Sequence, residues 1–131
     1  MTNTTVTNFS ITGWDEAPYD EEEASPKLTR ATISKSFSGD LEGEAKTEYL
    51  MMHRADGTAT FVGLERITGK IGERSGSFVM RHEGTFESGA AKAECTIIAG
   101  SGTDYFEGIS GQGSFAATGS TAPFTLTYDF D

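Results

Sequence analysis

Period-two alternation, broken again and again by glycine turns, constrains this chain more than any other feature of its 131 residues. Alternating apolar and polar side chains mark a strand with one buried face, and no segment sustains the 3.6-residue apolar period of a helix. Eight stretches read as strands, at about residues 2–13, 27–38, 41–54, 58–70, 75–87, 90–99, 110–117 and 122–131. Ser38-Gly39-Asp40, Asp56-Gly57, Gly72-Glu73, Ser88-Gly89 and the glycine-rich 100–113 region separate them with recognisable turn chemistry. Eight antiparallel strands close most economically into a barrel, which leaves no sheet edge; a two-sheet sandwich is the alternative. The sequence thus predicts an all-β, up-and-down, eight-stranded antiparallel barrel, residues 1–131 forming one domain, with at most one short helical turn near 103–109 to cap an end.

Hairpin register assigns inside and outside. A two-residue turn at Gly72-Glu73 pairs Ile71 with Arg74, Ile67 with Phe78, Glu65 with Met80 and Gly63 with His82. A second at Ser88-Gly89 pairs Phe86 with Ala91, His82 with Cys95 and Met80 with Ile97. Both hairpins put Phe78, Met80, His82 and Phe86 on one face, together with Phe61, Glu65, Ile67, Cys95 and Ile97. At Asp56-Gly57 a two-residue turn would set Glu48 against Glu65 inside the barrel. A three-residue turn with Gly57 left-handed instead pairs Tyr49 with Gly63 and Met51 with Phe61, and is preferred. It leaves Leu50, Met52, Val62 and Leu64 as an apolar strip outside, which points to homo-oligomer packing.

Ionisable groups on that inner face define the candidate site. An unpaired buried carboxylate is costly, so Glu65 needs water or a partner, and His82 lies diagonally across the strand pair. Two readings stand side by side: an acid/base pair in an apolar pocket, or a polar pair that fixes register and bonds to Tyr49 or water. Cys95, opposite His82, reads as a small buried hydrophobe rather than an activated thiolate. Trp14, Tyr49, Phe61, Phe78, Met80, Cys95 and Tyr128 are candidate ligand-lining residues; His53, near a turn, reads as solvated. Two histidines and one cysteine give no metal-ligand spacing, and hydrolase, dinucleotide and phosphate-loop motifs do not occur. No metal and no cofactor are expected.

Charge narrows the partners. A net charge of −10 with no clustered Lys or Arg argues against nucleic acid and against anionic membranes. Met1–Thr7 carries no basic or apolar leader, no apolar run approaches membrane-spanning length, and the lone cysteine favours a reducing compartment, so the cytoplasm is the expected location. The acidic stretch Asp15–Pro26, containing Asp20-Glu21-Glu22-Glu23, reads as a solvated loop after a first strand that ends at Trp14.

Several separated segments resemble a known family. Trp14-Asp15-Glu16-Ala17-Pro18-Tyr19, Gly43-Glu44, Glu48-Tyr49-Leu50, Gly63-Leu64-Glu65-Arg66, Gly76 to His82 and Gly100-Ser101-Gly102-Thr103 resemble the bacterial domain of unknown function 3224. That family looks like the allene oxide cyclase-like barrels, and Gly100–Gly111 resembles a late-barrel pattern of dirigent proteins and allene oxide cyclases. Asp104-Tyr105 departs from it where a smaller pair is expected. The resemblance implies a calycin-like barrel with an internal cavity, often homo-oligomeric. Relatives in the wider group steer cyclisations of reactive hydrophobic molecules without a cofactor; no catalytic residue carries over. Three functions follow: a cofactor-free isomerase or cyclase using Glu65 and His82, a carrier of a small hydrophobic ligand, or a structural or stress-related oligomer with a filled barrel.

Overall fold

The computed structural model describes residues 2–131 and shows a closed antiparallel barrel in which each strand pairs with its chain neighbours and the last with the first. Met1, part of the N-terminal stretch read above, lies outside the described residues. The strands are β1 (Asn3–Asp20), β2 (Lys27–Gly39), β3 (Leu41–His53), β4 (Ala59–Ile71), β5 (Arg74–Glu87), β6 (Ala90–Ile97), β7 (Ile109–Ala117) and β8 (Thr121–Phe130). The one helical element among the described residues is a 3-10 turn, Asp104–Phe106. Among the described residues no helix is long and apolar enough to cross a membrane.

The registers expected from the turns are present. Ile71 pairs with Arg74, Glu65 with Met80, His82 with Cys95, and Tyr49 with Gly63. The β3–β4 turn is the three-residue form: Arg54 N–H donates to the Thr58 carbonyl at 2.8 Å, and Gly57 takes φ +89° between them. Glu44, Lys46 and Glu48 accordingly point outward while Ala45, Thr47, Tyr49 and Met51 are buried.

Two features differ from the sequence reading. β1 does not end at Trp14; it runs on to Asp20, and Asp15–Pro18 pair with Thr29–Thr32 of β2. Local charge suggested a solvated loop, but β2 offers a long edge that this extension covers. Register shifts at Ile11/Gly13 and Pro18/Asp20 absorb the irregularity. The acidic loop proper is shortened to the residues between β1 and β2.

The two barrel ends are built differently. At the end holding the β2–β3 and β4–β5 turns, Phe106 is fully buried and meets Phe78 edge-on at 5.3 Å. This is the expected cap, and Ile67, Met80 and Leu126 are fully buried in the same core. The opposite end, ringed by the β1–β2, β3–β4, β5–β6 and β7–β8 turns, leads into a cavity.

Candidate functional site

A buried ion pair forms the floor of that cavity. On β2, Lys35 falls in phase with Ala31, Ile33 and Phe37, so alternation turns its side chain inward. Its Nζ lies 2.8 Å from Glu65 Oε2, and both side chains are almost wholly removed from solvent. The Thr47 hydroxyl donates to the same oxygen at 2.5 Å, and His82 Nε2 lies 3.2 Å from Oε1. Burial pushes the Glu65 carboxyl up, but Lys35 and then His82 outweigh it and hold its pKa near 2, well below the usual range. Glu65 is therefore a fixed anion and a poor proton acceptor.

Tyr49 connects the floor to the cavity. Its hydroxyl lies 2.9 Å from His82 Nδ1, although their strands are separated by β4. Gly63 makes this reach possible, since it pairs with Tyr49 on one side and His82 on the other. A Cβ there would collide with the Glu48 carbonyl oxygen and fall 2.7 Å from Tyr49 Cδ1. Burial, then the Glu65 charge, raise the Tyr49 pKa, so the phenol keeps its proton. Cys95 Sγ lies 3.5 Å from the same Nδ1, and burial, then the Glu65 charge, push its thiol up to about 12. The Tyr49 phenol, nearer than the thiol, can donate to Nδ1, an arrangement in which Nε2–H faces Glu65.

Above the floor is a cavity of about 400 Å³. Its wall is mostly aromatic and aliphatic, with Phe9, Ile33, Tyr49, Met51, Phe61 and Phe115 among its members, and Lys35 is the charged group at its base. The rim carries a second polar cluster. Trp14 Nε1–H donates to Glu16 Oε1 at 2.9 Å, the Thr29 hydroxyl to Oε2 at 2.7 Å, and His53 Nε2 lies 2.8 Å from the same Oε2. Burial opposes the Glu16 charge, but the bonds from Thr29, Trp14 and His53 prevail and lower its pKa. His53 is thus tied across β2 to β1 rather than simply solvated.

Glu65, His82 and Tyr49 come together as one network, with Cys95 at its back. Trp14, Tyr49 and Phe61 line the cavity. Phe78 and Met80 lie in the closed half, fully buried, and Tyr128 packs on Phe130 with rings 5.9 Å apart; none of these three is among the cavity's lining residues. Sequence reasoning missed Lys35, Thr47 and Glu16. The phase of Thr29, Ala31, Ile33 and Phe37 places Lys35 inside, and a buried Glu65 calls for a cation. Glu16 carries no such signal, because its acidic segment reads as a loop.

Fold and site together define a small antiparallel β-barrel, closed at one end by its own side chains and open at the other. The chain belongs to the family described as protein of unknown function (DUF3224), whose model matches residues 5–130. It is similar to the crystal structure of a DUF3224 protein of unknown function from Shewanella oneidensis MR-1, with a TM-score of 0.82 at 23% identity, covering 100% of this chain and 99% of that one. No curated protein matches the sequence.

Proposed function

We propose that the lumen binds a small, predominantly apolar molecule that enters past the Trp14–Glu16–His53 rim and rests on the Lys35–Tyr49 floor. The observation that carries this reading is the 400 Å³ cavity with its largely apolar wall, a volume within the roughly 300–1,000 Å³ of ligand pockets. A barrel wholly filled by its own side chains is disfavoured, because this cavity occupies the end opposite Phe106. Titration with a neutral, environment-sensitive fluorophore tests the reading. The wild type should bind it, and Ala117→Trp, which fills the cavity from β7, should not. Equal binding by both proteins would place the fluorophore elsewhere and defeat the proposal.

A cofactor-free isomerase or cyclase is the second reading, supported by the likeness of Gly100–Gly111 to the late-barrel pattern of allene oxide cyclases and dirigent proteins. In that case Lys35 and Tyr49 face the ligand, while Glu65 and His82 act as positioning residues behind them. Turnover lost in Glu65→Gln with affinity kept would favour the enzyme; a mild change of affinity alone would favour the carrier. Homo-oligomerisation is proposed through Leu50, Met52, Val62 and Leu64, of which Leu50, Val62 and Leu64 are about half exposed. The single buried thiol supports a reducing, cytoplasmic setting.

A further inference from the structure

We propose that the lumen selects a neutral ligand, an apolar body bearing one carbonyl-type acceptor whose oxygen docks on the Lys35 ammonium. This inference rests on the reading that the lumen binds a small apolar molecule, and it names the chemical class.

Lys35 carries three N–H donors, and Glu65 is its one polar partner among the described residues. The rest of its surroundings are aromatic: Nζ lies 4.7 Å from the centroid of Phe9, 5.1 Å from Phe115 and 5.9 Å from Tyr49. Ring faces attract a cation but are poor substitutes for an oxygen acceptor. All three rings line the cavity with Lys35, so its remaining donors border the space a ligand would fill. The Tyr49 hydroxyl is engaged with His82 Nδ1, which leaves Lys35 as the donor at the floor.

Charge then decides the ligand class. Lys35 and Glu65 cancel. A ligand carboxylate would bring an unpaired anion into an apolar chamber close to Glu65, and a ligand ammonium would meet Lys35 as a like charge. A hydrocarbon would leave the Lys35 donors unmet. A neutral carbonyl gains a charge-assisted hydrogen bond and adds no charge.

The test is competition by chain-matched octan-2-one, octane, octanoate and octylamine against a bound neutral fluorophore. It uses the wild type and Lys35→Met/Glu65→Gln, a pair that leaves neither charge stranded. Octan-2-one should bind the wild type about tenfold or more tighter than octane, and the variant should lose that preference. In parallel, the infrared carbonyl stretch of the bound ketone should fall in frequency relative to hexane solution, a reading that needs no variant. Octane matching the ketone, octanoate or octylamine surpassing it, or an unshifted carbonyl would overturn the neutral-acceptor inference while lumen binding stands. Failure of the fluorophore to enter the wild-type lumen would overturn the binding reading itself.

Discussion

Glu65 sits where a carboxylate has no access to water, and its partners decide what it costs and what it does. With Lys35 at 2.8 Å it belongs to a buried ion pair whose removal from one side strands the other charge. Glu65→Gln should therefore destabilise the fold by about 3–5 kcal/mol in urea unfolding at neutral pH. The pH dependence has a definite sign. The folded pKa is depressed from 4.5 to about 2, so the stabilisation is complete above the ordinary value and is lost as pH falls between those two values. The stability gap between wild type and Glu65→Gln should narrow from pH 5 to pH 2; a constant gap would mean that Glu65 is not ionised at neutral pH. Cys95, raised to about 12, should resist an aromatic disulfide reagent at pH 8 until the protein unfolds. At this scale the sequence revealed Glu65, His82, Tyr49 and Cys95 through strand phase. Lys35 was equally in phase, yet lysine on a strand reads as solvent-facing until a buried carboxylate is there to demand it.

Among the elements, β4 has the most particular requirement. Gly63 lets the Tyr49 ring lie across β4 toward His82, and a methyl group there would collide with the Glu48 carbonyl. Gly63→Ala should cost about 1–3 kcal/mol and loosen the Tyr49–His82 bond, seen as a changed His82 ring chemical shift. An unchanged shift with full stability would show that Tyr49 reaches His82 without needing the gap. Phe106 has the corresponding role at the closed end, where Phe106→Ala should cost about 3–5 kcal/mol by thermal or urea unfolding. The β4–β5 and β5–β6 hairpins were legible because two-residue turns fix register outright. The Asp56-Gly57 turn is legible because the two-residue form would bury Glu48 against Glu65, at a cost in repulsion and desolvation. The end of β1 was not legible: Asp15–Asp20 is acidic and contains Pro18, and only its pairing with β2 makes it a strand. The rim cluster on Glu16 was hidden with it.

For the whole molecule, closure into a barrel separates three environments: a packed end, an open chamber and an outer surface with an apolar strip. The strip predicts self-association. Sedimentation at micromolar concentration should show an oligomer, and Leu64→Glu should shift it to monomer; a wild-type monomer would contradict the oligomer proposal. The barrel was readable from eight alternating segments and their turns, whereas the division into a filled and an open half was not. That division depends on where Phe106 lands and on how small residues such as Ala59, Ala91 and Ala117 gather at one end, which no local pattern records.

The methionines report on all three environments, and their methyl groups allow the most direct measurement. Met51 lines the cavity, Met80 is fully buried in the closed half, and Met52 stands on the outer strip. In a methyl-labelled sample titrated with octan-2-one, the Met51 signal should move saturably while Met80 and Met52 stay nearly fixed. Movement confined to Met52, or no movement at Met51 at saturating ligand, would contradict binding in the lumen.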